Sequence, residues 1–158
     1  MRAPADSEGD PTTVALMSGQ AEAELAVRNV LARLAQLADD GDTASYVALL
    51  TDDVVWRMPA NDAVGLPASE RRGREEIAAG QRERMASGVQ GPGSNTMHVV
   101  TTVSVEFESD EIARARSTFQ YWGHTTTQPV IMNMGRYEDV LRRTDDGWQL
   151  ASRMIRFG

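Results

Sequence analysis

Two short stretches hold the groups best able to move a proton. One is the acidic segment Leu37-Ala38-Asp39-Asp40-Gly41-Asp42, and the other is Asn95-Thr96-Met97-His98, which opens a run of strand-forming residues. His98 is the first of only two histidines in the chain. An imidazole titrates at an ordinary pKa of ~6.5, so near neutrality it can take a proton and return it. A carboxylate bonded to one ring nitrogen fixes the tautomer, aims the other nitrogen at a substrate and stabilises the imidazolium as it forms. An apolar surround strengthens that pairing by lowering the local dielectric. The reaction that suits such a pair is proton abstraction beside an activating group. Loss of hydroxide or another leaving group can follow, or migration of a double bond.

Spacing alone leaves other readings open. His98 also reads as a structural histidine at the start of a strand, and acids around Gly41 read as caps at a helix–helix junction. On a helical wheel neither Asp39 nor Asp40 falls at the centre of the apolar stripe, so periodicity does not choose between them. Asp52 and Asp53 read as shaping the turn before a strand, His124 as a loop residue, and Trp148 as core. The Arg71–Glu76 and Arg82–Met85 runs read as a solvated helix face. A zinc site is not expected, because the chain has no cysteine and no His-x-x-x-His spacing.

The elements that must position these groups follow from periodicity. Residues 1–19 carry prolines, glycines and scattered acids without a period and read as a flexible lead. Val27, Val30, Leu31, Leu34 and Ala38 then recur at three- and four-residue spacing, which predicts a helix of about five turns from near Gln20. Gly41 ends it, and Asp42 or Thr43 can cap a second helix carrying Tyr46, Val47, Leu49 and Leu50. Val54–Met58 reads as a strand stopped by Pro59, residues 59–73 as a loop, and Arg74–Met85 as a helix. After the loop 88–95 the period changes to two, with Val99, Val103, Val105 and Phe107 alternating with His98, Thr102, Ser104 and Glu106. Val100 and Thr102 are expected on the side of His98. Strands at Ile112–Trp122, Pro129–Arg143 and Trp148–Phe157 follow, the last two joined by the hairpin signal Asp145-Asp146-Gly147. Helices early and antiparallel strands late imply an α+β domain whose curved sheet leaves a pocket at its mouth.

Bulk properties narrow the function classes. The 158 residues, 41% hydrophobic and 25% charged, fit one domain with a proper core. A formal charge of −7 argues against nucleic acid and against anionic membranes as partners. No apolar run approaches the ~20 residues that span a bilayer, and the first residues lack a signal-peptide pattern, so a cytoplasmic location is expected. The absence of cysteine excludes disulfides and thiolate chemistry.

The segments LADDGDTASYVALLTDDVVW (37–56), RRGREEI (71–77), NTMHVVTTVSVEF (95–107) and GRYEDVLRRTDDGWQLASR (135–153) together carry a resemblance. Over roughly residues 20–157 the chain resembles the SnoaL-like branch of the nuclear-transport-factor-2-like (NTF2-like) superfamily. It is most similar to the subgroup of scytalone dehydratase, the bile-acid 7α-dehydratase and lindane dehydrochlorinase. The resemblance implies a cone-shaped, cystatin-like α+β fold with a curved antiparallel sheet wrapped around N-terminal helices. It also implies a deep apolar pocket, no metal or organic cofactor, and a homodimer or homotrimer acting on a small hydrophobic molecule. The dehydratases use an Asp–His dyad, which falls on Asp39 and His98; the pocket arginine of some members falls on Arg153, which otherwise reads as an exposed strand residue. Where some members place a tyrosine or lysine about one turn before the aspartate, this chain has Leu34, so Tyr46, Tyr121 or Gln120 must supply that contact if it is made. Trp56, Trp122 and Met132 are candidates for gripping a flat apolar skeleton, and Asn133 and Gln120 for orienting it. The implied activity is a cofactor-independent dehydratase-type lyase on a cyclic or polycyclic substrate such as a steroid or aromatic polyketide. The alternatives are an isomerase or polyketide cyclase with the same dyad, or a binding protein without catalysis.

Overall fold

The apolar stripe expected on the first helix is realised in full. The computed structural model describes residues 11–158, and in it Val27, Val30, Leu31, Leu34 and Ala38 are all buried. Helix α1 runs Pro11–Asp40. Residues 11–19, expected as part of an irregular lead, are therefore its opening turns; proline suits a first helical position because its missing N–H would have no partner there. The rest of that lead, residues 1–10, lies outside the described residues. Gly41, at φ +76°, ends α1 with its N–H on the Leu37 carbonyl at 3.1 Å. A side chain there would collide with Pro92, 2.7 Å from an ideal Cβ, so the helix end and the 88–95 loop close on each other only through glycine. Asp42 then caps α2 (Thr43–Ala48), its carboxylate accepting the Ser45 N–H at 3.0 Å.

Strand β1 spans Leu50–Met58 and so begins earlier than its apolar run. Asp52 and Asp53, expected in a turn, lie within it; Asp53 accepts from Thr51 and pairs with Arg142, while Asp52 pairs with Arg74 at 2.6 Å. A 3-10 turn (Asp62–Val64) leads to β2 (Ser69–Arg72), which the sequence reads as loop. Its Ser-Glu-Arg-Arg composition shows no buried face because β2 is an edge strand, held by backbone pairing to β1 and by an Arg57–Glu70 ion pair at 2.8 Å. Helix α3 (Gly73–Ala86) matches its expected extent to within a residue at each end. Strands β3 (Met97–Ser109), β4 (Ile112–Gly123), β5 (Val130–Thr144) and β6 (Gly147–Phe157) form the long meander.

The six strands make one sheet in the order β2-β1-β6-β5-β4-β3. All neighbours are antiparallel except β1 and β6, so the sheet is mixed rather than wholly antiparallel. It curves around α1, α2 and α3, giving the α+β, cystatin-like cone. The main core joins the α1 stripe to Leu50, Val54, Ile77, Ala113, Ala115, Leu141, Trp148 and Leu150. A smaller cluster, Phe119, Tyr137 and Ile155, continues along the concave face with Val100, Met58 and Phe157 against it. No described helix is long and apolar enough to cross a membrane.

One irregularity decides where His98 points. Thr102 has φ +50°, and the β3–β4 register shifts between Thr101 and Ser104. Strict alternation would put His98 and the apolar set Val103, Val105, Phe107 on opposite faces. The bulge inserts a residue and turns both toward the concave face. Val103, Val105 and Phe107 pack on the main core, while Val100, two residues beyond His98, packs on the Phe119 cluster. Thr102, expected on that side, instead has its hydroxyl on Thr118 at 2.7 Å, on the outer face.

Candidate active site

Asp39 stands in the last turn of α1, where the negative end of the helix dipole disfavours a carboxylate. Its position serves β3 instead. Oδ1 lies 2.6 Å from His98 Nδ1, and Oδ2 accepts the His98 backbone N–H at 2.8 Å. A carboxylate only accepts, so Nδ1 carries the ring proton and Nε2 presents its lone pair away from Asp39. Both side chains are about one-fifth exposed, 19% for His98 and 20% for Asp39, withdrawn enough to strengthen the bond and open enough to meet a substrate. The Tyr121 ring flanks His98 with centroids 4.8 Å apart.

The surrounding loops hold both partners in place. Gln90, 4% exposed, donates to the Ala38 carbonyl at 3.2 Å and accepts from Arg84 at 2.9 Å. Asn95, at φ +55°, takes the Thr125 N–H on its carbonyl and the Thr126 hydroxyl on its side chain. The start of β3 is thereby tied to the β4–β5 connection, where His124 is a loop residue as expected.

Register places the remaining candidates. His98 pairs with Tyr121, and Tyr121 with Asn133, so Asn133 shares the row and the concave side with the dyad. Its side-chain oxygen accepts the Met134 N–H at 2.8 Å. Tyr46 is buried in the main core, and Trp56 faces inward beside Arg153. Gln120 and Trp122 are not brought to His98. They bond each other, Trp122 Nε1 to Gln120 Oε1 at 3.0 Å, on the face opposite Tyr121. They share strand parity with exposed Arg114 and Arg116, which was the available signal that they point outward. Met132 is exposed, its sulfur lying where a Cβ on Gly123 would stand. Leu34, at the place of the family's tyrosine or lysine, is buried in the core.

Arg153 is not an exposed strand residue. Its Nε and Nη2 donate to the two oxygens of Asp139, each at 2.8 Å, with side-chain exposures of 4% and 0%. The guanidinium lies 3.8 Å from the Tyr137 ring centroid and 4.9 Å from that of Trp56. Two parallel bonds to separate oxygens are the geometry of an ionised pair. Burial opposes the Arg153 charge, but Asp139 more than offsets it and holds the proton more firmly than usual; burial pushes the Asp139 carboxyl up, against the pull of Arg153. Asp139 lies six residues along β5 from Asn133, roughly 20 Å of strand before curvature. The partner was legible: Asp139 shares parity with inward Tyr137 and Leu141, and an inward acid needs a cation.

Two shallow surface hollows lie elsewhere, one of about 620 Å³ at the start of α3 and one of about 390 Å³ on the outer sheet face. Charged side chains line both, and neither includes Asp39 or His98.

The sequence profile of the SnoaL-like domain matches residues 19–154. No curated protein matches. Among solved structures, an NTF2-like protein with a cystatin-like fold from Novosphingobium aromaticivorans superposes with a TM-score of 0.76 at 22% identity, over 96% of this chain and 92% of that one. A candidate scytalone dehydratase from the same organism gives 0.73 at 18%, over 90% and 88%. A Mycobacterium tuberculosis protein of unknown function gives 0.72 at 19%, over 94% and 76%. At these identities the likeness speaks for the fold. With a family profile matching most of its length on this cone, the chain belongs to the SnoaL-like domain family.

Proposed function

We propose that the protein is a cofactor-independent lyase of dehydratase type acting on an apolar cyclic compound. The observation that carries the reading is the double contact of Asp39 with His98, which leaves Nε2 as a base of fixed direction. Nε2 takes a proton from a carbon beside an activating carbonyl, while Nδ1–H stays on Asp39. The electron pair released from that C–H bond forms the new double bond as the C–O bond breaks. Nε2–H then protonates the departing oxygen, and one water leaves. Val100, Phe119, Ile155, Phe157 and Met58 supply an apolar concave surface suited to a ring skeleton, with Asn133 in the dyad's row to orient it. Likeness to a candidate scytalone dehydratase supports the same class.

An isomerase or cyclase would use the same nitrogen, returning the proton to another carbon of the same substrate. One experiment separates the readings. Wild type, His98→Ala and Asp39→Asn are incubated with a panel of cyclic β-hydroxy ketones, and products are weighed by mass spectrometry. Loss of one water in wild type alone supports the lyase, and unchanged mass with rearranged structure supports the isomerase. Full turnover by both variants would sink the dyad.

A further inference from the structure

Charge inside the cone is unevenly matched. Arg28, Arg57, Arg71, Arg74, Arg142 and Arg153, the other described arginines that are partly or fully buried, each have a carboxylate within 4.0 Å. Arg84 is the exception among the described residues. The one hydrogen bond its side chain makes among these residues is from Nε to the neutral Gln90 amide at 2.9 Å. Burial disfavours its charge; the buried Tyr46 and Tyr137 lie close enough to act on it, and Glu83 is already taken by Arg71. Arg84 is half-buried, so its charge is less well solvated than a surface arginine's and no carboxylate offsets that loss.

A second observation falls on the same side of α3. Ile77, Gln81 and Arg84 recur at four- and three-residue spacing, which places them on one helical stripe, and Ile77 is core. Gln81 is 0% exposed, yet neither its amide oxygen nor its nitrogen has a hydrogen-bond partner. A glutamine and an arginine one turn apart, both withdrawn and both unmatched, point to a polar group that neither finds within the chain. Gln90, which holds Arg84, also holds the carbonyl of Ala38, the residue before Asp39, so this stripe adjoins the dyad.

We propose that Arg84, with Gln81, forms a carboxylate-recognising subsite of the active site. The two terminal amino groups of Arg84, unused by Gln90, match a planar carboxylate side on, and the Gln81 amide N–H donates to the same group. The assignment rests on the dyad reading and sharpens its substrate class: an apolar ring compound bearing a carboxylate, which anchors the ring while the acidic carbon faces His98.

Calorimetric titration of the full chain with 2-naphthoate and 2-naphthamide tests this, since the two share a ring and differ in charge. Wild type is expected to bind the acid about tenfold more tightly than the amide. Arg84→Gln removes that preference by weakening the acid alone, while His98→Ala retains it. Equal affinities in wild type, no saturable binding of the acid, or a preference that survives in folded Arg84→Gln overturns the proposal. If circular dichroism shows Arg84→Gln unfolded, Arg84→Lys decides, because an ammonium lacks the fork: a preference reduced about threefold is expected, and an undiminished one overturns it. Turnover retained by His98→Ala and Asp39→Asn would sink the dyad reading while leaving this charge preference intact, so the two failures are distinguishable.

Discussion

Asp39 holds His98 at two points, with Oδ1 on the ring nitrogen Nδ1 and Oδ2 on the backbone N–H. The same carboxylate therefore fixes where β3 begins and how the imidazole is turned. An aspartate can do both because it has two acceptor oxygens. An asparagine has one, and can keep both contacts only by donating from its amide to Nδ1, which reverses the tautomer.

Asp39→Asn should accordingly cost activity far more than it costs the fold. Turnover is expected to fall by about 10²–10⁴, the usual worth of a positioned acid–base group. Long-range nitrogen NMR of neutral His98 should show the Nδ1–H tautomer in wild type and a mixture in Asp39→Asn. A wild-type spectrum with the proton on Nε2 would contradict the assigned geometry.

Arg153 and Asp139 form a buried pair whose members are useful only together. Arg153→Met leaves a buried carboxylate alone and should cost about 3–5 kcal/mol in urea unfolding. The double variant Arg153→Met with Asp139→Leu should recover most of that loss. If the double variant is as unstable as the single, the pair is not the unit described here.

Much of this arrangement could be read from the chain, and the exceptions have physical causes. The α1 stripe and the four long strands are legible because their periods are local and strong. The parity of β4 is legible too: Ala113, Ala115, Phe119 and Tyr121 alternate with Arg114 and Arg116, which assigns Gln120 and Trp122 outward. Their chemistry suits a substrate contact, but their parity turns them away from the concave face. The β3 bulge is not legible, since a threonine at positive φ carries no turn signal and only the two packed halves of the strand demand it. Counted straight back from Ser109 opposite Ile112, His98 would fall opposite Gly123; two register shifts move it to Tyr121. β2 is silent because backbone pairing leaves no mark on an exposed, charged edge. Arg84 is silent because a solvated and a stranded arginine look alike until burial is known.

Tyr137 gives the fold a dependence on alkaline pH. Burial is the main cause that raises its pKa, from 10.0 to about 12, against the pull of Arg153. The folded protein then keeps a proton that the unfolded chain releases between these values, so stability is intact below pH ~10 and lost as pH rises toward ~12. The full loss is about 2–3 kcal/mol. Urea unfolding at pH 8 and 11 should show a smaller drop for Tyr137→Phe than for wild type. An equal drop in both would assign the alkaline sensitivity to other groups.

The bulge at Thr102 makes a sharper prediction, because it links backbone strain to the site. A β-branched residue at φ +50° is uncommon and strained, and here the strain turns His98 and the Val103–Phe107 set to the same face. Glycine adopts that φ freely, so Thr102→Gly should leave stability unchanged or raise it by up to about 1 kcal/mol, after losing the hydroxyl bond to Thr118. Proline fixes φ near −65° and cannot occupy the bulge. Thr102→Pro must then either expose Val103, Val105 and Phe107 or swing His98 outward. In the first case the protein loses stability by several kcal/mol. In the second it stays folded and the nitrogen NMR signature of the Asp39 contact disappears. A Thr102→Pro variant with wild-type stability and an intact His98 tautomer would show that the bulge does not set the site.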